Sequence, residues 1–282
     1  MHPGKALRLQ KIWKHKRAVI IPYDHGSFSG PVPGIEDPVQ LTERIARTGA
    51  DGILVTPGVL KTIAPVVGDL GVMVRIDGGF TKFPRQASDY QPFYSVPEAL
   101  KLGADAVIVF TFIDTPAEAE SLRRLGATAA EADAWGVPLV AEILAPSLLN
   151  NHFGTRVFGR GRKNADIGAE TLAVARIGAE AGADVIKTRY TGDVAGFREV
   201  VRTCGARVIV AGGPAQKRNA ASASGGEEGI LVLAAECVRA DAAGVIFGRN
   251  VWQHPKMEKL IDAICAIVHE DETVQSALKL LR

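Results

Sequence analysis

Lys187 closes the run Gly182-Ala183-Asp184-Val185-Ile186-Lys187, and its position is the first in the chain that invites chemistry. Val185 and Ile186 are β-branched and follow a glycine that ends a helical pattern, so they predict a short buried strand. Side chains alternate along a strand, which puts Lys187 on the face of Val185 and Ile186 on the other. A cation at the end of a buried strand is costly unless it is paired or neutral. In a closed parallel barrel this position is the C-terminal mouth, where such barrels hold their active sites. A desolvated lysine there gives up its proton more readily and becomes an amine nucleophile. On position alone, a lysine that snorkels to the rim or pairs with a carboxylate is the competing reading.

The ends of the other apolar runs supply partners. They carry Asp24 and His25, Thr56, Asp77, Thr111, Glu142, Gly212-Gly213 and Gly248-Arg249-Asn250. A barrel built only for stability has little use for a Lys and several carboxylates gathered at one face. An amine that attacks a carbonyl loses water to form an imine, and the imine then accepts the electrons of a neighbouring C–C bond. A carboxylate such as Asp24 or Glu142 moves the hydroxyl proton. Gly212, Gly213 and Gly248 leave backbone N–H groups open at the ends of the last two runs. That is the usual phosphate cradle of such barrels, with Arg249 adding charge and His25 adjoining it. The competing reading is that these glycines only make tight turns. His25 and His152 lack metal-ligand spacing, and imine chemistry needs no metal, so no metal and no cofactor are expected.

The elements that must hold these groups recur. Gly49-Ala50-Asp51, Gly103-Ala104-Asp105 and Gly182-Ala183-Asp184 each close a helical run and open an apolar strand, and Ala242-Ala243-Gly244 is a looser copy. Glycine supplies the left-handed helix end, and the apolar run suits a strand covered on both faces. Further strands are predicted at 18–23, 72–76, 137–142 and 207–211, which makes eight. Helical periodicity fills 96–101, 116–135, 170–180, 194–202, 229–239 and 255–268, with a short helix near 59–63. Asp37-Pro38 opens another helix, to about residue 48, as N-cap and first-turn proline. The sum is a single α/β domain over residues 1–282: a (β/α)8 TIM barrel with an N-terminal extension and an extra C-terminal helix at 272–281. Leu7, Leu9, Ile12 and Trp13 of the extension are expected to cap the bottom of the core. A doubly wound open sheet is the alternative, but no G-x-G-x-x-G follows the first strand.

Composition sets the outer bounds. Of 282 residues, 47% are hydrophobic and 23% charged, enough for one large core in a globular protein. A net charge of +2 gives no general nucleic-acid surface. No apolar run has the length of a membrane span, and no signal-peptide pattern follows Met1, so a cytoplasmic protein is expected. Cys204, Cys237 and Cys265 are odd in number and sit in apolar runs, which suits a reducing compartment. The Gly159-Arg160-Gly161-Arg162 run and the loop over 220–226 read as lid or solvated loop.

Five stretches together resemble a known family. They are Asp24-His25-Gly26 with Gly30-Pro31, Thr56-Pro57-Gly58, Val185 through Asp193, Ala211-Gly212-Gly213-Pro214, and Gly248-Arg249-Asn250-Val251-Trp252-Gln253. In order and content they resemble the class I aldolases of the DeoC/FbaB/LacD type. That group includes archaeal-type fructose-bisphosphate aldolase, aminodideoxyheptulosonate synthase and the autoinducer-2 phosphate thiolase. The resemblance implies a Schiff-base lysine at Lys187, an active-site carboxylate at Asp24, and a substrate phosphate held by Gly212, Gly213, Gly248 and Arg249. It also implies a ring-like homo-oligomer, decameric in size. The sugar-phosphate aldolases of the family carry a tyrosine, usually followed by Pro-Arg-Gly, at the end of strand 5. Here that stretch reads Ala141-Glu142-Ile143-Leu144-Ala145-Pro146-Ser147. Glu142 is two residues from that position and is expected to take over proton transfer, with Tyr190 as a second candidate; the competing reading is a salt bridge from Glu142 to Lys187 or Arg75 that only orients. The thiolase branch also lacks the tyrosine, so acyl or aldol transfer on a phosphorylated diketone stands beside cleavage of a ketose phosphate. A barrel that binds a phosphorylated ligand without turnover is the third reading.

Overall fold

Eight runs rich in Val and Ile become the strands, since β-branched side chains pack well on a surface covered from both sides. They are β1 (Ala18–Pro22), β2 (Gly52–Val55), β3 (Gly71–Arg75), β4 (Ala106–Thr111), β5 (Leu139–Ile143), β6 (Val185–Arg189), β7 (Arg207–Ala211) and β8 (Gly244–Ile246). Every neighbouring pair is parallel, and β1 pairs with both β2 and β8, so the sheet closes into an eight-stranded barrel. The computed structural model describes residues 2–79, 81, 90–153, 166–213 and 226–282, with the side chains of 150–153 excepted. The 159–162 run, residues 220–225 of the later loop, and Pro214 lie outside the described residues.

Alternation along the strands separates two apolar sets. Ile20, Leu54, Met73, Ile108, Val140, Val185, Ile209 and Ile246 fill the barrel interior. Their neighbours, such as Val19, Ile53, Val74 and Ile186, face the surrounding helices. The helix Pro3–Ile12 closes the bottom by inserting Leu9, Ile12 and Trp13, whereas Leu7 points outward at 65% exposure and takes no part in the cap. The C-terminal extra helix is Val274–Leu280.

The repeated Gly-Ala-Asp signature has a structural use that its sequence pattern did not disclose. Each aspartate sits just before an even-numbered strand and accepts a backbone N–H from the preceding strand. Asp51 takes that of Val19 at 2.7 Å, Asp105 that of Val72 at 3.0 Å and Asp184 that of Leu139 at 2.8 Å. The N-terminal segment sets a basic side chain on each: Lys5 Nζ is 2.7 Å from Asp184, Lys11 Nζ 3.2 Å from Asp105, and His15 Nε2 4.0 Å from Asp51. The looser copy has no carboxylate, and there the Ala243 carbonyl accepts from Trp13 Nε1 at 2.7 Å. Gly244 closes the seam at φ +154°, where a Cβ would lie 2.3 Å from the Ala18 carbonyl oxygen.

Asp105→Ala leaves the buried Val72 N–H without an acceptor and should cost about 1–3 kcal/mol in urea unfolding. Lys11→Ala removes only the exposed half of the same contact and should cost about 0–1 kcal/mol. Equal losses would show that the ion pair, not the strand N–H, is what Asp105 serves.

Candidate active site

Parallel register brings the reactive groups together at the C-terminal mouth. Glu142 and Lys187 are opposite one another on β5 and β6, on the rung above Val140 and Val185, so both point into the barrel. Arg75 ends β3 on the face of Met73, and Asp24 follows β1. Glu142 Oε1 lies 2.8 Å from Lys187 Nζ, with both side chains at most 6% exposed. Arg75 ties three carboxylates at once. Its Nε is 2.5 Å from Asp24 Oδ2, its Nη1 3.1 Å from Asp77 Oδ1, and its Nη2 contacts Glu142 Oε2.

Burial decides which of these groups hold charge. It opposes ionisation of Asp24, but Arg75, the His25 contact and Lys187 outweigh it and hold that carboxyl well below the usual range. Asp77 is the opposite case. Burial dominates there and raises its pKa to about 6, although Arg75 and the Phe110 N–H, 2.5 Å away, both favour the anion. Burial lowers the affinity of Arg75 for its proton, yet Asp24, Glu142 and Asp77 reverse this and leave it well above the ordinary value. Burial and the nearby Asp77 push the Tyr90 phenol well up, so it keeps its proton beside the cluster. Its ring rests edge-on against Phe110 and Phe112.

A second, cationic corner adjoins this one. Arg189 follows Lys187 by two residues, hence on the same face, and is paired in register with Ala211. Its guanidinium lies against Gly213, where a Cβ would come within 2.6 Å of Nη2, and Gly213 is left-handed at φ +76°. Arg189 Nη1 is buried and finds no hydrogen-bond partner among the described residues. Burial and the neighbouring Arg249 pull Arg189 below its ordinary value, and burial does the same to Arg249. Asn250 Nδ2 donates to the Gly212 carbonyl at 3.3 Å and locks the β7 and β8 loops together. Two guanidinium groups thus adjoin the two glycine loops, and neither is ion-paired to a carboxylate among the described residues.

Residues 18–254 match the DeoC/LacD family aldolase family. The chain belongs to that family. Among relatives of this aldolase, a 2-amino-3,7-dideoxy-D-threo-hept-6-ulosonate synthase of Halobacterium salinarum is 34% identical, over 98% of this chain and 95% of the relative. A 2-amino-4,5-dihydroxy-6-oxo-7-(phosphonooxy)heptanoate synthase of Streptomyces griseus is 29% identical, over 96% and 92%. The solved structure of an archaeal fructose-1,6-bisphosphate aldolase, with its catalytic Lys bound to a carbinolamine intermediate, superposes with a TM-score of 0.77. It is 26% identical and covers 94% of this chain and 99% of that one.

The expected residues of this aldolase fall into three groups. Lys187, Asp24, Glu142 and Asp77 share the mouth, and His25 stands at its rim, with Nδ1 3.4 Å from Asp24 Oδ1 and its ring near Phe28 and Trp252. Gly212, Gly213, Gly248 and Arg249 form the second corner with Arg189. Thr111 and Tyr190 are elsewhere. Thr111 pairs with Ile143 on the helix-facing side while Phe110 takes the inward position, and Tyr190 packs outside the barrel on Phe197. The Thr56 side chain caps the helix Pro57–Ile63 by accepting from the Val59 N–H. Tyr90 and Arg189 went unassigned from sequence, and Arg75 was read only as a possible salt-bridge partner of Glu142, a contact that is present. Two of the three carried a signal: Arg75-Ile76-Asp77 and Lys187-Thr188-Arg189 each place two charges on one strand face.

The two aspartates should give opposite pH signatures. Asp77 is raised from 3.8 to about 6, so folding favours its protonated form and a cost of up to about 3 kcal/mol accrues as pH rises between those values. Asp77→Asn should therefore gain on wild type between pH 4 and pH 7. Asp24 is depressed, so its contribution is present above the unfolded value and lost as pH falls through the folded one. Asp24→Asn should cost about 3–5 kcal/mol at neutral pH, and less in strong acid. Urea unfolding at both ends of the range checks the signs.

Proposed function

We propose that this aldolase cleaves or forms a C–C bond in a phosphorylated ketose or keto compound through an imine on Lys187. The observation that carries the reading is the Lys187–Glu142 contact of 2.8 Å, buried beside a cationic corner built for an anion. Glu142 Oε1 accepts a proton from the Lys187 ammonium and frees its lone pair. The amine adds to the substrate ketone, Glu142 returns its proton to the carbinolamine hydroxyl, which leaves as water, and the iminium draws electrons as the neighbouring C–C bond breaks. The proton of the β-hydroxyl passes to Glu142, which stands where relatives of the sugar-phosphate branch have tyrosine. Arg75 holds Glu142 and Asp24 in place and keeps Asp24 ionised, a positioning role. Asp24 assists loss of water from the carbinolamine.

The phosphate sits between Arg189, Arg249 and the amides of Gly212, Gly213 and Gly248. Lys187 and Arg189 are one pleat apart, about 6–7 Å along β6, the spacing a ketone and a phosphate on adjacent carbons can bridge. The name of the Streptomyces relative's product places a 6-oxo group beside a 7-phosphonooxy carbon, which supports this pairing. Transfer of the donor fragment to an acceptor aldehyde, rather than release, is the second reading. The synthase names of the relatives and the missing β5 tyrosine favour it. Leu7, Phe93 and Trp135 remain exposed and support self-association into the ring-like homo-oligomer that the resemblance implies. Among the described residues no helix is long and apolar enough to cross a membrane.

Borohydride with fructose 1,6-bisphosphate or another ketose phosphate should add a reduced adduct to the peptide that contains Lys187. Lys187→Ala should abolish label and turnover, and label on Lys61 instead would remove Lys187 from the role. Glu142→Gln should lower turnover by about 10²–10⁴-fold while trapping survives. Wild-type turnover in that variant would assign the proton to another group.

The anion corner has its own test. Arg189→Ala and Arg249→Ala should each weaken binding of the phosphorylated substrate by about 1.5–3 kcal/mol, read as KM, with little effect on a dephosphorylated analogue. Equal losses on both substrates would reduce these arginines to structural supports.

A further inference from the structure

Three residues far apart in the chain meet at the N-terminal face of the barrel, opposite the mouth. His15 lies between the first helix and β1, Asp51 directly precedes β2, and His269 is in the last turn of the helix Met257–Glu270. His269 Nε2 is 2.8 Å from Asp51 Oδ2, and His15 Nε2 is 4.0 Å from Asp51 Oδ1. The two imidazoles stack with centroids 4.1 Å apart and 21° between their planes. One donor atom from each of the three residues lies within 4.8 Å of the other two.

We propose that these three side chains form a transition-metal site, for Zn2+ by the chemistry of its donors, that clasps the N-terminal segment to the C-terminal helix. Two imidazoles and one carboxylate suit zinc; magnesium and calcium prefer oxygen. Tetrahedral zinc with bonds of about 2.0–2.1 Å holds its donor atoms about 3.3 Å apart. The observed 2.8 and 4.0 Å bracket that spacing. The His15 side chain, 52% exposed, is free to close the longer gap. A water completes the fourth position.

Asp51 is the second, independent sign. Its side chain is only 1% exposed, and Oδ2 already accepts from the Val19 N–H and His269. Oδ1, on the His15 side, receives no hydrogen bond from the described residues. The equivalent aspartates of the repeat show the metal-free solution, since Asp105 and Asp184 are each paired with a lysine. A charged lysine has no lone pair to share with a cation. At Asp51, alone of the three, the chain uses two imidazoles, stacked one on the other. A metal would take the place of the hydrogen that His269 Nε2 turns to Asp51, and each ring would then offer the ion a nitrogen lone pair.

The test uses the full chain, stripped with chelator and titrated with Zn2+, and with Co2+ as a spectroscopic substitute. One Zn2+ should be retained per chain after dialysis, Co2+ should give the visible absorption of a tetrahedral site, and Zn2+ should raise the unfolding temperature by mass action. His15→Ala, a change at an exposed ring, should weaken Zn2+ binding by about tenfold or more and remove the thermal gain. His254→Ala should leave both unchanged, and borohydride trapping at Lys187 should be the same with or without His15. The proposal is overturned if no Zn2+ is retained, or if retention survives both His15→Ala and His269→Asn. Should the His269 variant fail to fold, unchanged retention in His15→Ala alone overturns it.

Discussion

Arg75 is 4% exposed and would be untenable at that depth by itself, because a desolvated guanidinium with no counter-charge opposes folding strongly. Three carboxylates make it possible, and it makes them possible in turn. Asp24 comes from β1, Asp77 from just beyond β3 and Glu142 from β5, so one side chain spans strands that are not neighbours in the barrel. Lys187 joins through Glu142. The mouth is therefore a single electrostatic unit. Moving any member changes the charge that its neighbours feel, which is why Asp24 and Asp77, both carboxylates touching the same arginine, end on opposite sides of their ordinary pKa.

Beside this nearly balanced cluster stands one that is not balanced. Arg189 and Arg249 press two cations together with no ion pair to a carboxylate among the described residues, Glu142 acting on Arg249 only from a distance, and Gly213 gives up its side chain to make room. The contrast fits the function proposed above: balanced charge around the amine, where that reading has protons move, and adjoining cations where it has an anion bound. A substrate lying across both would present its carbonyl to one and its phosphate to the other.

The opposite end of the barrel solves a different problem with similar parts. There the parallel strands begin, and backbone N–H groups need acceptors that the helices do not provide. Asp51, Asp105 and Asp184 supply them, and the N-terminal segment, with Lys5, Lys11 and His15, covers those aspartates while Ile12 and Trp13 plug the interior. Function at one end and closure at the other are thus separated by layers of aliphatic side chains.

Much of this was legible in the residue order. Eight apolar runs, the recurring Gly-Ala-Asp boundary and the glycines after β7 and β8 are local patterns, and local backbone preferences with a period-two alternation are enough to set them. Alternation also put Lys187 and Glu142 each on an inward face. What order alone could not supply was register, the pairing that sets Glu142 opposite Lys187 and turns Phe110 inward in place of Thr111. Nor could it reveal that Arg75, besides Glu142, collects Asp24 from β1 and Asp77, that Tyr190 packs on Phe197 outside the barrel, or that residues 15, 51 and 269 converge. The reason is physical. Propensity and periodicity act over a few residues, whereas an ion pair or a ligand set acts through space, between groups whose distance exists only once the barrel has closed.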